Sequence, residues 1–155
     1  MSFMTCQVWY LPTIILIISR FRSATSSRPE ANNSTVPKQI HMTWLGSPLP
    51  LQRFAPNIKS YISLNPDYVL YLWLDHADRV PLSWRSIHNL VIKDVSQEKW
   101  DTKDLLDQST NWAMMSDIIR WEIIFKYGGI YVDVDSTALR GFGMMCIIKY
   151  LFIYQ

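Results

Sequence analysis

The alternation of apolar and polar residues divides the chain, from residue 37 onward, into short strands and helices. Strands are predicted where apolar or alternating runs end at Gly, Pro, Asn or Asp, at residues 38–44, 68–74 and 90–92. Helices are predicted at residues 54–64, 82–88 and 102–107. Because strands and helices alternate, we expect an α/β domain with a mixed, mainly parallel sheet flanked by helices.

The most informative stretch is residues 111–137, where a long helix, a Gly-Gly break and a short strand follow one another. Gly128 is expected to end the helix in the left-handed conformation that glycine adopts readily. Gly129 then removes a side chain where the backbone enters the strand. The break therefore predicts a tight turn between the helix and the strand.

Carboxylates lie on one face of the strand predicted at residues 130–134. Strand alternation places Tyr131, Asp133 and Asp135 on the same side. The Cα atoms of the two aspartates are then about 7 Å apart. Like charges at this spacing need a cation or hydrogen-bond donors nearby. The pattern fits a divalent cation that bridges a diphosphate and takes only one or two ligands from the protein.

The long helix is predicted to have two polar patches. Ser116, Asp117 and Arg120 cluster on one side, whereas Glu122 and Lys126 form an opposite patch whose expected role is solubility. The first patch has two interpretations. It is either a surface ion pair between Asp117 and Arg120, or a site at which Arg120 holds a phosphate or a sugar hydroxyl. Spacing alone favours the surface pair.

Composition and charge narrow the function classes. The 155 residues are 49% hydrophobic and 18% charged, which is typical of one globular domain. The net charge is +2, and the Lys and Arg residues are scattered, which excludes the basic stripe of a nucleic-acid-binding surface. Cys6 and Cys146 lie near opposite ends and form neither a disulfide framework nor a metal knuckle.

The N-terminal residues give conflicting indications of location. Residues 1–22 contain an apolar run at 8–18 that is long enough for a signal peptide but short for a membrane-crossing helix. Arg20 and Arg22 follow the run, on the wrong side for a lumenal domain. Residues 23–36 are a linker with glycosylation sequons at Asn32 and Asn33. We expect a secretory-pathway protein, in the Golgi lumen or membrane, with membrane association through residues 8–18.

Three ordered motifs resemble a known family. They are residues 37–44 (PKQIHMTW), residues 65–75 (NPDYVLYLWLD), and residues 116–120 (SDIIR) followed by 127–135 (YGGIYVDVD). Together they resemble the sugar-binding DXD region of a glycosyltransferase family. Its members include yeast-type initiation and inositol-phosphoceramide mannosyltransferases and animal α1,4-glycosyltransferases, and it is related to the clostridial glucosylating toxins.

The resemblance implies a GT-A-like fold and a metal-dependent, retaining transfer of a hexose from a UDP- or GDP-linked donor to a glycan or glycolipid acceptor. It implies that Asp135 coordinates Mn²⁺ or Mg²⁺, with Asp133 close to both the metal and the donor. The other implied donor-binding residues are Trp44 at the nucleotide base, Ser116, Asp117 and Arg120 at the sugar, and Tyr131 in the pocket wall. It identifies no catalytic residue.

Two alternatives remain open. One is an inactive donor-binding half-domain, since residues 37–143 resemble the N-terminal part of the family's domain and the apolar tail 144–155 does not match it. The other is a Mg²⁺-dependent phosphohydrolase, because residues 133–137 also fit a D-x-D-x-T motif with Asp133 as nucleophile. That motif needs a lysine and further acidic residues downstream.

We predict that the 155-residue chain has no detectable transferase activity and binds a donor weakly at most. In the family, the second half of the domain builds the acceptor site and adds contacts to the metal and the phosphates. A radiolabelled-donor assay with the purified chain tests this expectation. Robust sugar transfer would contradict it.

Overall fold

The computed structural model describes residues 36–143. The strands are β1 Gln39–Trp44, β2 Val69–Leu74, β3 Leu90–Asp94 and β4 Ile130–Tyr131. The α-helices are α1 Leu51–Leu64, α2 Leu82–Arg85, α3 Lys103–Gln108 and α4 Trp112–Tyr127. Short 3₁₀ helices span Ala77–Arg79 and Val95–Gln97.

Each predicted strand and helix in this range is present, and the α/β fold class is confirmed. The main differences are at the ends of elements. Helix α1 begins at Leu51, directly after Pro50, whose restricted φ suits the start of a helix. Helix α2 is a single turn and stops at Arg85, short of the predicted end.

The sheet has the strand order β3-β2-β1-β4, and all three strand pairs are parallel. Along the chain, β2 and β3 extend the sheet on one side of β1, and β4 then returns to the other side. The strand order therefore reverses at β1. In open α/β sheets, ligands bind outside the carboxyl ends of the strands at such a reversal, here between β1 and β4.

The two faces of β1 pack against different helices. Ile40 and Met42 are buried in a core that includes Phe54 and Ile58 of α1. The other residues of β1, which alternate with these, face α4. The hydrogen bond between Thr43 of β1 and Ser116 of α4 shows this orientation. The sheet is therefore covered on both faces, as expected for parallel strands.

The Gly-Gly turn brings the start of β4 close to β1. Gly128 has φ +67° and ψ −152° and donates to Ile124 O at 3.0 Å, so φ is positive as predicted although ψ is not that of a left-handed helix. Gly129 has φ +83°, and a Cβ there would lie 2.6 Å from Gln39 O. Only glycine permits both this conformation and this approach.

The predicted extent of the last strand is wrong. Strand β4 ends at Tyr131, and its ladder continues only through the hydrogen bond from Val132 N to His41 O. A turn follows, closed by Ser136 N donating to Asp133 O at 3.0 Å. Alternation still holds as far as Val134, which is buried in the core. Asp135, however, lies in the turn rather than on a strand face.

The predicted solvent-exposed role of Glu122 is also wrong. Its side chain is fully buried and accepts hydrogen bonds from Asp101 N, Thr102 N and Thr102 Oγ1. Lys126 completes an ion pair at 2.5 Å. Glu122 therefore ties the start of α3 to α4, and the i, i+4 spacing with Lys126 reflects an ion pair whose carboxylate is buried.

Among residues 36–143, no helix combines the length and the apolarity needed to cross a membrane. The apolar run at residues 8–18, the two sequons and the tail at residues 144–155 lie outside the described range. The expectations for the apolar run and the sequons remain predictions.

We predict that Glu122→Gln lowers the free energy of unfolding by about 2 kcal/mol, because the new amide places N–H donors against backbone N–H groups and loses the pairing with Lys126. Urea denaturation measures the change. Asp107→Asn is the matched control, since Asp107 pairs with Lys103 on the exposed surface and its loss costs less than about 1 kcal/mol. Equal effects of the two substitutions would contradict the buried role of Glu122.

A buried histidine lies on the α4 side of β1. His41 is 1% exposed, stacks on Tyr71 with ring centroids 5.3 Å apart, and accepts a hydrogen bond at Nδ1 from Trp73 Nε1. Burial lowers the pKa of His41 from 6.5 to about 4, partly offset by the Gly128 backbone. The native state therefore holds this imidazole neutral.

We predict that part of the chain's acid sensitivity comes from His41. The unfolded state binds a proton below about pH 6.5, whereas the native state does so only near pH 4. Stability should therefore fall as the pH decreases between these values, by up to about 1.4 kcal/mol per pH unit. Urea titrations at several pH values measure the slope, which His41→Gln should reduce. The exposed His88→Gln should keep the native slope, and an unchanged slope in His41→Gln would contradict the assignment.

Candidate functional site

The carboxyl ends of β1 and β4 meet α4 in a set of polar side chains. We call this set the edge cluster, and its members are Thr43, Ser116, Asp117, Arg120, Tyr131 and Asp133. Thr43 Oγ1 lies 2.7 Å from Ser116 Oγ and 2.7 Å from Tyr131 Oη. One buried threonine on β1 thus links the helix and the last strand by hydroxyl hydrogen bonds. The cluster lies at the strand-order reversal.

Arg120 is the centre of charge in the edge cluster. Its Nη2 lies 3.2 Å from Asp117 Oδ1 and 3.0 Å from Asp133 Oδ1. The guanidinium also lies over the Tyr131 ring, 4.4 Å from its centroid. The surface pair expected from i, i+3 spacing therefore exists, but the same arginine also reaches one of the two aspartates of the DXD motif. Spacing within the helix could not reveal that second contact.

Arg120 has hydrogen-bonding capacity left over. Its Nε is buried and has no hydrogen-bond partner among the described residues. Buried donors are normally satisfied by protein, water or ligand. The guanidinium of Arg120 and the partly exposed carboxylates around it therefore form a polar group at the sheet edge. This group can bind an anionic or hydroxylated ligand, to which the guanidinium donates hydrogen bonds.

Burial alters the acid–base properties of the edge cluster. Desolvation raises the pKa of Asp117, the positive charge of Arg120 opposes that rise, and the Asp133 carboxylate adds to it. Desolvation also raises the pKa of Tyr131, opposed by its hydrogen bond with Thr43. The tyrosine therefore stays a neutral hydroxyl at physiological pH.

The two aspartates of the motif occupy the turn after β4, and both are exposed. Asp133 uses Oδ1 for Arg120, and its other oxygen faces no partner that the structure records. No group of three or more His, Cys, Asp or Glu among residues 36–143 is arranged to hold a metal ion by itself. Two exposed carboxylates nevertheless fit a hard cation that takes its remaining ligands from water and a diphosphate.

Trp44 lies at the same edge but on the other face of the sheet. Its ring packs against Phe54 of α1 with centroids 5.1 Å apart, and its Nε1 donates to Ser47 Oγ at 3.3 Å. The structure brings Ser116, Arg120 and Tyr131 together, and Trp44 is not in contact with them. Its predicted stacking on a base remains a prediction.

The sequence did not identify several other side chains at this edge. Thr43 is one of them, and its signal was a polar position on the same side of an alternating strand as Gln39 and His41. Asp75 follows β2, accepts from Gly46 N at 2.6 Å, and has a buried Oδ1 without a partner in the described range. Trp112 is 51% exposed, and its ring lies so close to Gly46 that a Cβ there would be 2.5 Å away. These contacts join segments far apart in sequence.

A family model matches most of the described chain. The model is that of the glycosyltransferase sugar-binding region containing the DXD motif, and it covers residues 52–153. The edge-cluster residues on α4 and β4, and both aspartates, fall within the match. The motif-based resemblance is therefore confirmed at the level of the family. The match also includes residues 144–153, so the expectation that the apolar tail lies outside the family's region is wrong.

Curated relatives agree with the match. The chain is 31% identical over 111 residues to inositol phosphoceramide mannosyltransferase 3 of Schizosaccharomyces pombe, covering 70% of this chain and 26% of the relative. It is 30% identical over 135 residues to the subversion of eukaryotic traffic protein A of Legionella pneumophila, covering 79% and 21%. The chain thus spans about a fifth to a quarter of the length of these relatives.

A solved structure supports the fold. The PaToxG glycosyltransferase superposes with a TM-score of 0.55 at 24% identity, over 86% of this chain and 53% of that one. The resemblance at this identity concerns the arrangement of strands and helices, which agrees with a GT-A-like sheet. The chain belongs to the glycosyltransferase family defined by the DXD-containing sugar-binding region.

Proposed function

We propose that this chain binds a nucleotide sugar, UDP- or GDP-linked, at the carboxyl edge of its sheet. We further propose that the protein to which this region belongs transfers a hexose, with retention of configuration, to a glycan or glycolipid acceptor. The name of the Schizosaccharomyces pombe relative makes mannose on a glycolipid a reasonable first choice to test. Donor binding concerns residues that the structure describes, so it is the part that can be tested on this chain.

One observation carries the proposal. Arg120 joins the helix residue Asp117 to the motif residue Asp133, at the point where the strand order reverses. The guanidinium of Arg120 lies between two carboxylates and has a buried Nε without a partner in the described residues. Such a group is suited to binding the hydroxyls of a sugar and the charge of a phosphate.

The proposed roles follow the positions of the side chains. Asp117 and Arg120 hold the transferred sugar, while Ser116 and Tyr131 line the donor pocket and are oriented by Thr43. Asp135 holds Mn²⁺ or Mg²⁺, with Asp133 beside it. When bound, the cation neutralises charge that develops on the leaving diphosphate. Trp44 is proposed at the nucleotide base, which it would reach from the α1 face of the sheet.

Asp133 helps to separate the glycosyltransferase proposal from the phosphohydrolase alternative. In a D-x-D-x-T phosphohydrolase, this carboxylate would act as a nucleophile. Here it is paired with Arg120, which reduces its nucleophilicity and reserves it for binding. The family match adds independent support for the glycosyltransferase alternative.

Domain organisation and location remain proposals. We propose that residues 37–143 form the N-terminal part of the glycosyltransferase domain, preceded by a linker at 23–36 and a signal or anchor at 1–22, and followed by an apolar tail at 144–155. The proposed location is the Golgi, on the basis of residues 8–18 and the sequons at Asn32 and Asn33. Those segments lie outside the described residues.

We predict that one nucleotide sugar, together with Mn²⁺, raises the melting temperature of the chain. At ten times its dissociation constant, a ligand adds about 1.4 kcal/mol of stability, which corresponds to a shift of about 4 °C or more. Differential scanning fluorimetry with a panel of UDP- and GDP-sugars, each with Mn²⁺ or with EDTA, measures the effect. The base of the effective donor would also be identified.

Matched substitutions locate the binding site. Asp135→Asn should remove the Mn²⁺-dependent part of the shift, and Arg120→Lys should reduce the shift by the donor, because lysine cannot bridge two carboxylates as a planar guanidinium does. Asp78→Asn is the control, since Asp78 is exposed and pairs with Arg79. The absence of a shift with every donor in the native chain would overturn the proposed function.

A further inference from the structure

The segment that begins inside the 133–135 motif is bound along one polar side of helix α1. We call residues 134–142 the strap. Asn57 Nδ2 donates to Val134 O at 3.2 Å, and Asn57 Oδ1 accepts from Thr137 Oγ1 at 3.2 Å. Ser60 Oγ accepts from Ala138 N at 2.9 Å. Successive polar residues of α1 therefore hold successive residues of the strap.

Two further side chains complete this arrangement. Tyr61 Oη lies 2.9 Å from Ser136 Oγ. Asn65, which is 2% exposed, donates from Nδ2 to Tyr61 O at 2.9 Å and accepts from Phe142 N at 2.7 Å. Gly141 passes so close to α1 that a Cβ there would clash with Leu64 O. Hydrogen bonds to α1 and to Asn65 thus hold the strap at both its first residue, Val134, and its last, Phe142.

These contacts are concentrated around the exposed Asp135. On one side of it, the carbonyl of Val134 is held by Asn57. On the other side, Ser136 is held by Tyr61 and also donates from Oγ to Asp133 O at 2.5 Å. The backbone is therefore anchored immediately before and after a carboxylate that reaches into solvent.

A strand does not provide this anchoring, because β4 ends at Tyr131. A surface turn without ladder hydrogen bonds explores many conformations, and a metal ligand must be held in place to bind well. The polar side of α1 makes no recorded contact with Arg120 or with Ser116. The strap also packs Val134, Ala138 and Phe142 on the core that α1 covers. The polar contacts from α1 add to this packing and fix the turn that carries the two aspartates.

We propose that Asn57 and Tyr61 of α1 are positioning residues for the metal–diphosphate site, with Ser60 and Asn65 in support. They act through the backbone of the strap and place the carboxylates of Asp133 and Asp135. The proposal rests on the proposed function, since it assumes that the aspartates hold a divalent cation on a nucleotide. Under this proposal, cation affinity depends on residues of α1 as well, although α1 lies on the face of the sheet opposite to α4.

The test uses the full chain with Mn²⁺ and either UDP or GDP as the probe. The variants are Tyr61→Phe, which keeps the ring packed on Phe142, Asn57→Ala, and the double substitution. Free Mn²⁺ measured by electron paramagnetic resonance gives its dissociation constant in the presence of nucleotide. Loss of supporting contacts around a ligand typically weakens metal binding about 10- to 100-fold, so we expect the double variant to lose at least about tenfold.

Three accompanying measurements separate positioning from a merely structural role. Urea denaturation without metal reports whether the variants fold cooperatively. Nucleotide affinity in EDTA should stay within about twofold of the native value, because the proposed contribution of the strap acts through the cation, which EDTA removes. Hydrogen exchange at the amides of residues 135–138 should become faster in the double variant.

The matched control is the double substitution Ser63→Ala and Tyr71→Phe. Ser63 lies on α1 and bonds only within the helix, and Tyr71 lies on β2, so neither contacts the strap. This control should bind Mn²⁺ like the native chain. If the native chain shows no Mn²⁺-dependent nucleotide binding, the proposed function and this inference both fall. If the native chain binds but Asn57→Ala/Tyr61→Phe folds and binds Mn²⁺ equally well, only the positioning role is overturned.

Discussion

The pairing of β4 with β1 is short, yet the contact between the last strand and α4 depends on it. Strand β4 pairs with β1 through its two residues, Ile130 and Tyr131, and Val132 adds one hydrogen bond. This pairing requires the backbone of Gly129 to approach Gln39 O at a distance that excludes any side chain. With β4 in place, Tyr131 reaches Thr43 and Asp133 reaches Arg120, so the edge cluster is assembled from β1, α4 and the end of β4.

Charge at this edge is organised around one arginine. Two carboxylates share the guanidinium of Arg120, and the Tyr131 ring covers its face. The exposed ion pairs contribute little to stability by themselves. Their value lies in orientation, because the contact with Arg120 fixes the direction of the Asp133 carboxylate. The strap and helix α1 supply the complementary restraint on the backbone.

The elements of the fold were largely predictable because their signals are local. Alternation in residues 38–44 and helical spacing in residues 54–64 arise from burial of one face, which the sequence records directly. The grouping of Ser116 and Arg120 followed from helix geometry. The role of Glu122 was not predictable, because two of its partners are the backbone N–H groups of residues 101 and 102, which every residue type except proline provides.

The sequence by itself determined the strand and helix order, the positive φ at the Gly-Gly turn, and a family-specific motif with its two aspartates. Tertiary structure alone decided where the last strand ends, that Thr43 joins Ser116 to Tyr131, and that α1 holds the strap. The physical reason is the same in each case. Hydrogen bonds between groups that are distant in sequence depend on which segments become neighbours, and that is established only when the sheet assembles.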